Sequence, residues 1–315
     1  MSGYAGKKAV VTGGTMGMGL ATVKEKPAIA VLGVGRMGSA LVSAFLKQGY
    51  GVDIWNRTRA KCEPLAAQGA RIAATVRDAV AAADIVVVNV NDYGTSDGLL
   101  RPDEVTRALR GKLLVQLTSG SPGQAREQAA WARQHDVRYL DGAIMATPDF
   151  IGQPGCTVLY SGPAELFELC RPVLLVLGGN TQYVGSDVGL ASALDSALLI
   201  YMWGALFGTL QGVAVCEAEQ VPLETFMGYV KATTPVVEGA VMDVLTRVQQ
   251  GRFGGDATTL ATLEIHHGAL RHLLELCRAR GLHREVPEAF DRLFQKAVQA
   301  GHGQDDFAVL TRFMR

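Results

Sequence analysis

Residues 33–38 read Gly-Val-Gly-Arg-Met-Gly, directly after the apolar run 29–32 and directly before a helical pattern over 39–47. A glycine turn between a strand and a helix opens a nucleotide-binding βαβ unit, and this order constrains the fold more than any other feature of the chain. Gly33 permits the tight turn, Gly35 lets the backbone approach a pyrophosphate, and Gly38 lets the helix pack closely on the strand. Val34, Arg36 and Met37 complete the candidate cofactor turn. About 20 residues further on, where an NAD enzyme carries a carboxylate for the ribose hydroxyls, the chain instead reads Asn56-Arg57-Thr58-Arg59-Ala60-Lys61. Asn56, Arg57, Thr58 and Lys61 offer cations and polar groups suited to a 2′-phosphate, so the expected cofactor is NADPH. The competing reading, a solvated basic first turn of a helix, puts cations at the unfavourable end of the dipole.

Short β-rich runs at 28–32, 51–55, 85–90, 113–117, 137–140, 157–160 and 181–184 alternate with helical patterns at 37–47, 58–67, 123–134 and 163–177. Such alternation predicts βαβ units and a parallel sheet. Beyond residue 189 the strand signal fades into helical patterns at 191–216, 223–249, 257–280 and 287–300. The expected fold class is α/β: a Rossmann-type doubly wound parallel sheet, then a long interdomain helix and an all-helical C-terminal domain. The expected domains are an appended segment 1–26, an NADPH-binding domain 27–188, and a helical dimerisation and substrate domain 189–315.

The segment 196–216 holds no charge and spaces Gly204, Gly208 and Gly212 four apart, as membrane helices do. Its flanks carry Asp187, Asp195, Glu217 and Glu219 and no nearby Lys or Arg, so a soluble helix is expected and no membrane partner. An unbroken helix over 189–216 is about 42 Å long, more than a small helical domain covers on all sides. A second copy of the chain is the expected cover, with the first domain folding back as the alternative. Thirty Lys plus Arg balance thirty Asp plus Glu, which removes the basic excess of a nucleic-acid binder. Five scattered cysteines and no signal-like run make the cytoplasm the expected location.

Asp195 is the one carboxylate inside that apolar helix; burial there favours its protonated form and makes it the candidate proton donor. Polar clusters follow two strands: Asn89-Val90-Asn91-Asp92-Tyr93 and Thr118-Ser119-Gly120-Ser121-Pro122. At strand ends of an open α/β sheet they are expected at the ligand. Asn91, Asp92, Thr118 and Ser119 are assigned to the cofactor, and Tyr93 and Ser121 to the substrate. The small apolar segment 141–148 suits a pocket wall, and Met145, Ala146, Thr147, Tyr201 and Trp203 are the candidate pocket residues. His266, His267 and His272 lack the spacing of a helical metal site, and no metal is expected.

These pieces together resemble the NADPH-dependent imine reductase and reductive aminase family, within the β-hydroxyacid dehydrogenase superfamily. The similarity runs from about Pro27 to Arg315 and is carried by GVGRMG at 33–38, WNRT at 55–58, QLTSGSP at 116–122, LDGAIMATPDFIG at 140–152 and GLASALDSALLIYMWG at 189–204. Residues 12–19, Thr-Gly-Gly-Thr-Met-Gly-Met-Gly, resemble instead the cofactor turn of short-chain dehydrogenases, a likeness confined to the appended segment. Where the hydroxyacid enzymes carry a catalytic Lys, this chain has Asp195; where they bind a substrate carboxylate, it has Met145, Ala146 and Thr147. The resemblance therefore implies reduction of a C=N bond, in an imine or in a ketone plus amine, with a lean towards R products. It also implies a homodimer with exchanged helical domains and an active site shared between chains. Trp203 stands where some reductive aminases carry Tyr. A hydroxyacid dehydrogenase or aldehyde reductase, or a non-enzymatic NADPH sensor, is the alternative.

Overall fold

The computed structural model describes residues 26–315, so the appended segment, Lys26 apart, lies outside the described residues. Two compact units divide at Leu199/Ile200.

The first unit is built on eight strands: β1 (Ile29–Leu32), β2 (Val52–Trp55), β3 (Arg71–Ile72), β4 (Ile85–Val88), β5 (Leu113–Gln116), β6 (Arg138–Ile144), β7 (Thr157–Ser161) and β8 (Asn180–Gly185). Their order across the sheet is β3-β2-β1-β4-β5-β6-β7-β8. Helices α1 (Arg36–Lys47), α2 (Glu63–Ala66), α3 (Val76–Ala82), α4 (Tyr93–Leu100), α5 (Asp103–Leu109), α6 (Pro122–Gln134) and α7 (Ala164–Leu174) connect them. Alternation along β1 shows why both faces are covered. Ile29 and Val31 enter one core with Leu41, Phe45 and Ile54, while Ala30 and Leu32 enter the other with Val80, Val86 and Trp131.

The sheet departs from the expected all-parallel form at one pair. β6 runs on to Ile144 and β7 returns antiparallel, pairing Asp141 with Ser161. The connection between them holds only a 3₁₀ turn at Pro148–Phe150, too little for the helical crossover that a parallel return needs. The helix expected over 58–67 is likewise broken into a 3₁₀ turn, Arg59–Lys61, and the short α2, whose first turn takes Pro64. The short α3, α4, α5 and β3 were not expected from the pattern.

α8 (Leu190–Ala218) is long and apolar enough to cross a membrane by length and composition. Leu198, Ile200, Leu206, Phe207 and Leu210 are exposed in the single chain, along the helix for which a second copy is the expected cover. The second unit continues with α9 (Leu223–Gln250), α10 (Leu263–Arg280) and α11 (Glu285–Ala297). The pattern over 257–280 becomes helical only at Leu263, because Asp256 captures the Thr258 amide and hydroxyl in a tight turn. Leu263, Phe294, Ala297, Val309 and Leu310 form its core. Beside them the fully buried Arg247 is bound by Asp243 at 2.9 Å, Asp256 at 3.2 Å, Asp306 at 3.3 Å and the Thr258 hydroxyl at 2.7 Å. His267 meets Asp291 at 2.8 Å and stacks on Phe294, while His266 packs edge-on against Phe307.

Candidate functional site

At the point where strand order reverses, between β1 and β4, the strand ends open a cleft of about 470 Å³. Gly33, Gly35, Arg36, Met37, Asn56, Arg57, Thr58, Lys61 and Asn91 line it, joined by Asn89 and Val90 of the same strand-end cluster and by Trp55, Thr95 and Leu99, which sequence reasoning had not assigned. The glycine turn is held by close approach. Gly33 has φ +95°, and a Cβ there would lie 2.2 Å from the Asn89 carbonyl oxygen; one on Gly38 would lie 1.9 Å from that of Gly33. Around a Cβ on Gly35 there is only open space, and no side chain caps the N-terminus of α1 that follows. Free amides at a positive helix end, under open space, fit a pyrophosphate. Exposed Arg57, Thr58 and Lys61 fit a 2′-phosphate beside it. Asn56 plays a different part: its Oδ1 accepts from the Val34 amide at 3.1 Å and its Nδ2 donates to the Thr58 carbonyl at 3.0 Å, so it ties β2 to the turn.

Other assigned residues also serve the fold. Asp92 caps α4 by accepting from the Thr95 amide at 2.6 Å, which holds its carboxyl below the usual range. The buried Thr118 accepts from the Val90 amide at 3.1 Å and so joins the two strand-end loops. Ser121 closes a capping box on α6 with Gln124, a Ser-x-x-Gln signal that the sequence carries openly. Tyr93 does not line an open pocket: only 3% exposed, it turns inward and its hydroxyl donates to Asp141. Gly120 makes room for it, since a Cβ there would sit 2.4 Å from the Tyr93 ring.

Asp195 lies in the second turn of α8 and is 8% exposed. Burial raises its pKa, and the Ser119 hydroxyl, from the loop after β5, pulls the other way. The start of α8 is fixed by three contacts. The Ala191 amide donates to the Ser161 hydroxyl at 3.1 Å, the Ser192 hydroxyl donates to Asp141 at 2.8 Å, and Asp187 accepts from the Gly189 amide at 3.0 Å. Arg126 pairs with Asp187 at 2.7 Å and, with that amide, draws the Asp187 carboxyl down to about 2. Met145 packs beside Ala143, Leu159 and Ala191, Ala146 is half-buried and Thr147 exposed. Tyr201 and Trp203, further along α8 and in the second unit, are exposed.

A doubly wound sheet with an uncapped glycine turn, a basic rim and a buried acid is the arrangement an NADP(H)-dependent oxidoreductase needs. Residues 187–315 match the family model of the NADPH-dependent reductive aminase-like C-terminal domain, and residues 28–185 that of the NAD binding domain of 6-phosphogluconate dehydrogenase. An NADPH-dependent reductive aminase of Aspergillus oryzae is 32% identical over 291 residues, covering 91% of this chain and 97% of its own. An imine reductase from Myxococcus stipitatus, solved with NADP+, is 64% identical at a TM-score of 0.90, covering 92% of this chain and 100% of its own. A reductive aminase from Aspergillus terreus, solved with NADPH and ethyl-5-oxohexanoate, is 34% identical at a TM-score of 0.84 over the same shares. The chain belongs to the NADPH-dependent imine reductase and reductive aminase family, oxidoreductases that reduce C=N bonds.

Proposed function

We propose that the Gly33–Gly38 turn holds the pyrophosphate of NADPH, that Arg57, Thr58 and Lys61 hold its 2′-phosphate with Asn56 bracing them, and that Asp195 supplies a proton to the nitrogen of a C=N bond or holds the iminium by charge. NADPH supplies the hydride for the carbon. A protonated C=N is a far better hydride acceptor, so one buried acid beside a positioned hydride is sufficient chemistry. The single observation that carries this reading is a carboxyl where the hydroxyacid enzymes need a cation, buried and pushed towards its protonated form. The substrate class is small cyclic imines, or a ketone together with an amine; the Aspergillus terreus relative was solved with cyclohexanone and allyl amine. Met145, Ala146, Tyr201 and Trp203 are the apolar contributors to substrate recognition.

The active unit is a homodimer in which a second copy covers the apolar residues of α8 and α9 and contributes to each site. Supporting this are the exposed Ile200, Phe207, Leu210 and Met227, too much apolar surface to leave in water. A soluble dimer in the cytoplasm follows from the same reading.

The test offers NADPH with 1-pyrroline, NADPH with cyclohexanone and an amine, and NADP+ with small β-hydroxyacids. Oxidation of NADPH on either nitrogen substrate, with no turnover of hydroxyacids, is expected. Asp195→Asn should bind NADPH as before and lose on the order of 10²-fold in turnover; near wild-type turnover would remove Asp195 from the chemistry.

A further inference from the structure

Asp141 is a second carboxylate close to Asp195, and the reading above gives it no part. It stands in the middle of the apolar strand β6 and is completely buried. Three hydroxyls converge on it from three elements. Tyr93 of α4 donates to Oδ1, Tyr139 of β6 approaches the same oxygen at 3.2 Å, and Ser192 of α8 donates to Oδ2 at 2.8 Å. Tyr139 in turn reaches Gln128 of α6 at 3.3 Å. The charged or titratable groups facing Asp141 are thus Tyr93, Tyr139 and Asp195, and none is a cation. A buried ion pair would have used Arg or Lys here; hydroxyls solvate the carboxylate without cancelling its charge.

We propose that Asp141 is a positioning residue for Asp195: through Ser192 it ties the first turn of α8 to the sheet, and its uncancelled charge opposes loss of the proton from Asp195. Ser192 sits one helical turn before Asp195, so whatever fixes Ser192 fixes the direction of Asp195. Burial pushes the Asp141 carboxyl up to about 6 against the pull of its three hydroxyls, Asp195 adds a smaller push, and repulsion between two carboxylates is necessarily mutual. Near neutrality Asp141 is ionised, and losing a proton from Asp195 then puts two negative charges side by side in a buried setting. In each turnover Asp195 passes its proton to the substrate nitrogen, the carbon receives its hydride from NADPH, and Asp195 recovers one proton from solvent.

This inference rests on the assignment of Asp195 as the acid, and the experiment separates the two. The kcat/KM of the holoenzyme for 1-pyrroline is followed from pH 5 to 9 in wild type, Asp141→Asn and Asp195→Asn; substrate titration cancels in the ratios. Asp141→Asn should leave the acidic plateau within a few-fold and move the alkaline limb down by about one pH unit, roughly a tenfold loss beyond it. An unmoved limb in an enzyme that Asp195→Asn inactivates overturns the role of Asp141. An active Asp195→Asn overturns the assignment beneath it. If Asp141→Asn does not fold, carboxyl-carbon NMR of aspartate-labelled Asp195→Asn decides: Asp141 should titrate lower than in wild type, and an unchanged titration overturns the proposal.

Discussion

Asp141 in the first unit and Arg247 in the second are both charged groups removed from water, and their surroundings could hardly differ more. Around Asp141 stand three hydroxyls and another acid, and burial drives its carboxyl up to about 6 against the pull of those hydroxyls. Around Arg247 stand Asp243, Asp256 and Asp306, and with the Thr258 hydroxyl it holds the Asp256 carboxyl well below the usual range. Full ion pairing fixes protonation states and the local backbone, joining α9 to the 256–258 turn and to the segment before Phe307. Solvation by hydroxyls leaves the protonation state adjustable within the physiological range. One cluster can take part in proton chemistry; the other can only hold a shape.

The largest expected effect tests the structural half of that contrast. Arg247→Met leaves three carboxylates facing one another without a cation and should cost about 3–5 kcal/mol, read by urea unfolding at pH 7 and fixed protein concentration. A loss near zero would mean that the cluster is no more than a solvated surface network.

The next tests the signs. Asp256 titrates below its unfolded value, so its contribution is present above the usual carboxylate range and is lost as pH falls below about 4. Asp141 titrates above its unfolded value of 3.8, so the folded state holds that proton more tightly, and stability falls as pH rises from about 4 to 6. The fall should be of order 2–3 kcal/mol and should be missing in Asp141→Asn, whose unfolding free energy stays flatter across that window. An identical slope in both proteins would deny the raised titration.

The smallest effect concerns an ion pair that belongs to neither kind. Arg126 and Asp187 are half-exposed, so Arg126→Ala should move the thermal midpoint by no more than about 2 °C. A larger shift would give the entry to α8 a third kind of electrostatic anchor.

What could be read from the sequence was whatever is local. The glycine turn, the basic Asn56–Lys61 stretch and the lone Asp195 each declare themselves within a few residues of chain. Asp141 did not, because Tyr93 and Ser192 meet it from 48 and 51 residues away, and only the sheet brings them together. Yet an acid in the middle of Tyr-Leu-Asp-Gly-Ala-Ile is itself a signal, since an apolar strand rarely spends a position on a charge without a use for it. The caps made by Ser121 and Asp92 went unread for the opposite reason: each is short-range, written in the three residues that follow, and strand-end polarity hid it. The antiparallel β7 and the late start of α10 depended on connection geometry and on the Asp256 turn, which periodicity does not register.

The nesting of Gly38 on Gly33, and of Gly33 on Asn89, separates two properties that an engineer would vary together. Three backbone segments meet there with no space for a single extra carbon, so that turn belongs to the frame and tolerates no library. Arg57, Thr58 and Lys61 hang at the rim, exposed, where exchange costs the frame little. Retraining this protein towards a cofactor without the extra phosphate is therefore a matter of repainting the doorway and leaving the hinge alone.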